Sequence, residues 1–327
     1  MSFWRSSLKI LLPLLCSSAL MAEELLIYTA VEPKWFPVYI EAFQKAEPNV
    51  KISVVRASTG TLVSRLVAEQ NNPQADVILG VSAIAIENLR VRGLLEAYTP
   101  KNIEAINPKM QSKDKLWVGM NAWGGSICIN TEVLKRKNLP IPTSWKDLIN
   151  PIYKGQIVMP SPQASGTGYM FFLGWLQGFG EENGWKYFDE LHKNILFYSS
   201  SGSRPAAMVA QGEIPIGLSS AAFMAPFTQY DIPVITVEPT DGIAWDCEAN
   251  ALPKGSRHPE IAKRFLDFCT SESVAKIAAD FSGIAAISEY STPEGQKIAS
   301  NFLAIDFEKA SAEKKAIIAK WKEKVTQ

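Results

Sequence analysis

Residues 50–80, VKISVVRASTGTLVSRLVAEQNNPQADVILG, pass from a β-branched run through a serine–threonine–glycine turn into an amphipathic stretch and then a second apolar run. VKISVVRAS (50–58) predicts a strand, TLVSRLVAEQ (61–70) a helix and ADVILG (75–80) another strand. Strands alternating with helices in this way argue for an α/β fold with parallel strands. Upstream, ELLIYTA (24–30) predicts a strand and WFPVYIEAFQKAEP (35–48) a helix, so the doubly wound pattern already holds there.

A second unit of the same kind follows WVGMNAWGGSICIN (117–130). Its strands are GQIVMPS, ILFYS and IPIGLSS, and its helices GYMFFLGWLQGF, GWKYFDELHKN and RPAAMVAQGE. After GIAWDCEANALPKGS (242–256) the pattern turns mostly helical, through EIAKRFLDFCTS to the end. The stretches 117–130 and 242–256 read as strands crossing between two lobes. The expected division is a signal peptide at 1–22, a first lobe at 23–121, a second at 122–246, and a return to the first lobe over 247–327. No repeat or Pro/Ser-rich linker interrupts it.

The signal-peptide reading rests on MSFWRSSLKILLPLLCSSALMA, where Arg5 and Lys9 precede an apolar core at 10–15 and small residues lead to Ala22. That core is far shorter than the ~20 residues of a membrane-spanning helix. Lipid attachment at Cys16 would want small residues before it, and Leu14 and Leu15 stand there. Lys+Arg and Asp+Glu each number 33. Removing 1–22 takes away two bases and leaves a slight acidic excess, so nothing points to a nucleic-acid partner. Cys128, Cys247 and Cys269 allow at most one disulfide and read as buried free thiols.

Three turns share one design. RASTGTLVSRL (56–66), QASGTGYMFF (163–172) and SSSGSRPAAMV (199–209) each pass from a strand through hydroxyl residues and glycine into a helix. A helix start presents unpaired N–H groups, glycine lets a ligand approach the main chain, and hydroxyls add donors. Ser58, Thr59 and Gly60 fall in the first lobe. Ser165, Gly166, Thr167 and Gly168 fall in the second, as do Ser201, Gly202 and Ser203. An anion held by all three turns would lie in the cleft between lobes. The competing reading is that these residues only cap helices.

Cationic groups on such a ligand would find acids and aromatics nearby. In an extended 243–249, Asp246 and Glu248 point to one face and Trp245 and Cys247 to the other. Glu32 follows the first strand at the end where parallel sheets bind ligands, and Trp123 could offer an aromatic face to an ammonium. Chemistry has little material. No G-x-x-x-x-G-K-[ST] or G-x-S-x-G is present, and the two histidines, His192 and His258, read as solvated surface residues. No catalytic residue, metal ligand or cofactor is expected.

Taken in order, STGTLVSRLVAEQNNPQADVILG, LWVGMNAWGGSICINT, PTSWKDLINPIYKGQIVMPSPQASGTGY, GWKYFDELHKNI, YSSSGSRPAAMVAQGEIPIG and GIAWDCEANALPKGS resemble the solute-binding components of ABC importers. Within them, the chain resembles the 2-aminoethylphosphonate-binding proteins. The resemblance implies a type II periplasmic binding protein, each lobe a mostly parallel sheet flanked by helices, the lobes joined by two crossing strands. It further implies a monomer, a small anionic or zwitterionic ligand, and delivery to an inner-membrane permease with a separate ATPase subunit. The wider group includes ferric-ion binders, which carry a Tyr–Tyr pair shortly after the strand matching GEIPIGLSS; here Ala221–Ala222 stand there. The phosphonate pattern of an aromatic, an acid and a base is also missing from SSAAFMA (219–225), which leaves a phosphorylated sugar open. A rival of another class is an exported phosphatase or phosphonate hydrolase.

Overall fold

The computed structural model describes residues 23–228 and 230–326; the expected signal segment, with Arg5, Lys9 and Cys16, lies outside the described residues. No described helix is long and apolar enough to cross a membrane. The strands are β1 (Glu24–Thr29), β2 (Lys51–Arg56), β3 (Val77–Ser82), β4 (Leu95–Glu96), β5 (Val118–Gly124) and β6 (Ser126–Asn130). They continue with β7 (Ile157–Pro160), β8 (Ile195–Ser199), β9 (Ile216–Ser219), β10 (Val234–Val237) and β11 (Trp245–Pro253).

They form two sheets, one ordered β2-β1-β3-β11-β4 with β5 paired to β11, the other β10-β6-β9-β7-β8. The β/α units anticipated at 24–80 and 155–220 supply the parallel pairs, β1 with β2 and β3, and β7 with β8 and β9. Elsewhere the expectation of mostly parallel sheets gives way to mixed ones: β11 runs antiparallel to β3, β4 and β5, and β6 antiparallel to β9 and β10. The cause is the crossing segments, which enter each sheet from its neighbour and so run against the strands they join.

β5 and β6 are one extended stretch interrupted only at Gly125. The first half pairs with β11 in one sheet, the second with β9 and β10 in the other. A Cβ on Gly125 would come within 2.4 Å of the Phe171 ring, so only glycine lets the strand pass this close to the second lobe's core. β11 returns alongside β5, Trp245 opposite Gly124, making the two crossings neighbours.

The second lobe is built around helix Gly166–Gly178, whose residues 166–176 are all buried among Trp145, Trp185 and Phe188. This explains why GYMFFLGWL shows no polar face. One difference from the expected division concerns the terminal helix Phe307–Val325. Its Ile317 and Trp321 sit in the second lobe's core, Trp321 packs edge-on against Tyr198, and Lys324 reaches Asp189 at 2.6 Å. Its apolar stripe fits the aromatic second lobe, so the helix does not belong wholly with the first lobe as 247–327 would have it. Cys128, Cys247 and Cys269 are buried and unpaired.

His192 is packed rather than solvated: its ring stacks between Phe188 and Tyr198, Nδ1 lies 2.8 Å from the Tyr198 hydroxyl, and burial lowers its pKa. His258 sits at 3.0 Å from Asp76, tying the loop after β11 to the start of β3.

Candidate functional site

Where the two sheets face each other, the C-terminal ends of β1, β2 and β3 oppose the start of helix Gly166–Gly178 and the turn after β8. Between them is a cavity of about 50 Å³. Of the residues expected to hold an anion, Ser58, Thr59, Ser165, Gly166, Thr167, Ser201 and Gly202 line it. Ser58 precedes helix Thr59–Ala68 in an extended conformation, and its hydroxyl oxygen accepts no capping bond from the helix start. Ser165 does cap, accepting from the Gly168 N–H at a long 3.4 Å.

Close main-chain approach brings the walls together. A Cβ on Gly166 would stand 3.2 Å from Thr59 Oγ1 and 3.1 Å from Ser82 Cβ, and one on Gly202 would stand 2.2 Å from Thr167 Oγ1. Larger residues at either position would push the three turns apart.

Three expected anion ligands are absent from the lining. Gly60 faces the carbonyls of Gln163 and Ala164, where a Cβ would meet oxygen at 2.8 and 3.0 Å; it lets the lobes touch beside the cavity. Gly168 turns back onto Pro160 and Ser161 of its own turn, where a Cβ would stand 2.5 Å from Pro160 O. Ser203 stands behind Ser201, the two hydroxyls 3.1 Å apart.

The expected cation-binding set divides likewise. Glu32, Trp123 and Glu248 line the cavity, Trp123 with its ring centroid 6.3 Å from that of Phe223. Trp245 does not: it stacks flat on Phe302 at 5.2 Å and donates from Nε1 to the Leu303 carbonyl at 2.8 Å, on the outer side of the crossing strands. Asp246 is fully buried under the wall, accepting from Ser82 Oγ, from the Ala83 N–H at 3.1 Å and from the Cys247 N–H at 2.7 Å. It anchors Ser82 and the start of helix Ala83–Val91. Burial pushes its pKa up to about 7 against the pull of those donors.

Alternation on the strand is as expected, but depth decides the roles. Two residues along, Glu248 reaches the lining. Its carboxylate accepts from Asn121 Nδ2 at 3.0 Å, and burial, then the charges of Glu32 and Asp246, raise its pKa to about 8.

Sequence reasoning missed Ala30, Arg56, Gly80, Ser82 and Phe223. Arg56 supplies the positive charge on the lining: Nη2 pairs with Glu32 Oε1 at 3.1 Å and Nε donates to the Val31 carbonyl at 3.3 Å. Its position at the end of β2, next to STG, was the available signal, as it was for Glu32 at the end of β1. Gly80 and Ser82 make a fourth glycine–hydroxyl turn before a helix, hidden because SAIAIENLRV shows no clear apolar stripe. That helix is buried on most faces.

The site can hold an anion with three hydroxyl-bearing turns and one guanidinium, the Ser82 hydroxyl being spent on Asp246. Neither histidine reaches it. Among the described residues no three His, Cys, Asp or Glu side chains gather as a metal site.

The family described as bacterial extracellular solute-binding protein matches residues 72–313. An uncharacterized protein of Haemophilus influenzae is 30% identical over 293 residues, 85% of this chain and 84% of that one. A putative 2-aminoethylphosphonate-binding periplasmic protein of Salmonella typhimurium is 28% identical over 181 residues, 55% of this chain and 51% of its own. Among solved structures, the periplasmic binding protein AfuA of Actinobacillus pleuropneumoniae, with exogenous fructose-6-phosphate bound, superposes with a TM-score of 0.87 at 30% identity. The match covers 93% of this chain and 99% of that one.

Proposed function

The chain belongs to the bacterial extracellular solute-binding proteins, and on that premise we propose that it captures a small phosphate ester between its lobes in the periplasm. It then presents the ligand to an ABC permease driven by a separate ATPase subunit. The observation that carries this reading is the meeting of Ser58–Thr59, Ser165–Thr167 and Ser201–Gly202 with Arg56 at one cavity. Helix starts, hydroxyls and a guanidinium are the donors a phosphoryl group takes.

Because the donors come from both lobes, the full set of contacts exists only when they are closed. Ligand therefore shifts the hinge equilibrium by the contacts it adds in that form. The phosphatase rival finds no histidine beside these hydroxyls, and of the two carboxylates there Glu32 is held by Arg56 and Glu248 is held by Asn121.

The organic end is met by Trp123, Phe223, Glu32 and Glu248. An ammonium wants an ionised, unspent carboxylate. Glu32 is engaged by Arg56, and with its pKa near 8 Glu248 costs about 1.4 kcal/mol to ionise at neutral pH. Hydroxyls make no such demand, which favours a sugar phosphate; the likeness to the fructose-6-phosphate-bound AfuA supports that choice.

The second reading, 2-aminoethylphosphonate, draws on the Salmonella relative. Ferric capture lacks the phenolate pair expected of it, since Ala221–Ala222 occupy that place. Calorimetry with the exported form decides. Fructose-6-phosphate is expected to bind in the micromolar range or tighter, and more tightly than 2-aminoethylphosphonate. The reverse order would replace the sugar phosphate, and failure of every phosphoryl compound to bind would overturn the reading.

A further inference from the structure

We propose that Glu248 is protonated in the ligand-bound closed form, so that each capture takes up a proton from solution and the carboxyl donates a hydrogen bond to the ligand's organic end. This rests on the reading that a phosphoryl anion fills the cavity.

The surroundings of Glu248 argue for the neutral acid. It lies on β11 between β3 and β5, facing Ser82 on one side and Asn121 on the other. The Asn121 amide gives it one donor, while Oδ1 of that amide is buried without a partner. Tyr39, from helix Phe36–Ala46, lies near it in the core with its hydroxyl also unpartnered. The charged neighbours are Glu32 beyond β1 and Asp246 on the same strand, both acids. Lys314 acts on Asp246, and the one cation of the lining, Arg56, already holds Glu32.

A phosphate monoester brings about −1.5 to −2 charges into this space. The donors of the three turns and Arg56 answer the phosphoryl end; nothing answers a third negative charge at Glu248. With the lobes apart, the face of the carboxyl that lines the cavity would meet water, and hydration favours the ionised form. In the structure, with the lobes together, burial holds its pKa up at about 8 without a ligand. Binding and protonation therefore favour each other. The sign follows: the part of the affinity linked to this proton is present below the closed-form value and is lost as pH rises through it.

The test is calorimetric titration with fructose-6-phosphate near pH 8, where the ester, with a second pKa of ~6, is already a dianion. Titrations run in two buffers of very different ionisation enthalpy. The difference in observed heat gives the proton count, and half a proton or more taken up per ligand is expected. Glu248→Gln should abolish the uptake and flatten the fall of affinity with pH. Binding with no buffer dependence, with proton release, or with uptake undiminished in Glu248→Gln overturns the proposal while leaving the phosphate reading intact. No heat from fructose-6-phosphate, 2-aminoethylphosphonate or inorganic phosphate overturns that reading and this proposal with it. The proton count on the unaltered protein needs no variant.

Discussion

The crossing strands β5 and β11 separate two hollows of very different size. On one side lies the cavity of about 50 Å³ lined by Trp123, Arg56 and the hydroxyl turns. On the other is an open groove of about 1270 Å³, lined by Trp245, Trp117, Phe302 and a scatter of polar residues such as Gln296 and Ser300. The larger hollow has no guanidinium on its lining and no set of glycine turns; its buried carboxylate, Glu87, already accepts from Trp117 Nε1 at 2.6 Å. The smaller one gathers donors from both lobes onto one point. Convergence of polar groups, rather than volume, marks the place where a small anion can be held.

Asp246 lines neither hollow, and it gives the largest expected effect. Its carboxyl is raised from its ordinary value to about 7 by burial, so the folded protein holds its proton over a range where the unfolded chain has lost it. Stability linked to that proton is fully present below the unfolded value and declines as pH rises toward the folded one, by up to about 4 kcal/mol. Asp246→Asn should flatten the fall in thermal midpoint between mildly acidic and neutral pH. A wild-type-like slope in the variant would place the titration elsewhere.

Next comes Arg56→Met, which removes hydrogen bonds to a charged group worth roughly 1.5–3 kcal/mol. It should weaken fructose-6-phosphate binding by about ten- to a hundredfold. Gln296→Ala with Ser300→Ala, across the strands in the groove, should leave affinity within twofold. Equal losses in both variants would erase the distinction between the hollows. Smaller again is Ser165→Ala or Thr167→Ala, each removing a neutral donor of about 1 kcal/mol and so costing about fivefold in affinity. Undiminished binding in the double variant would take the anion away from that turn.

Much of this division could be read from the chain before folding. The three hydroxyl turns were visible because glycine and serine between a β-branched run and an amphipathic one have few other reasons to recur. That they meet at one cavity depends also on how the two sheets face each other. What escaped was whatever depends on depth: Gly60 and Gly168 look like their neighbours in sequence, yet each faces backbone carbonyls of a tight contact. Asp246 and Glu248 share one face of a strand, and only the position of Ser82 over Asp246 decides which reaches the lining. Arg56 was passed over because a basic residue ending a strand is common and local pattern does not reveal its partner, Glu32, twenty-four residues away.

Trp245 offers the smallest expected effect on binding. Trp123 and Trp245 sit on adjacent crossing strands, close to the point where both leave the first sheet. One turns to the cavity beside Phe223; the other lies flat on Phe302 and bonds to Leu303. Trp245→Phe keeps a ring on Phe302 but removes the Nε1 donor to the half-buried Leu303 carbonyl, at a stability cost of about 0.5–1.5 kcal/mol. No ligand contact is lost, so affinity for fructose-6-phosphate should stay within twofold while the thermal midpoint drops. Trp123→Phe keeps packing but reshapes the lining, and should change affinity with less effect on stability. The two rings thus test one comparison from opposite sides: a loss of affinity from Trp245→Phe at unchanged stability would put ligand on the groove side of the strands.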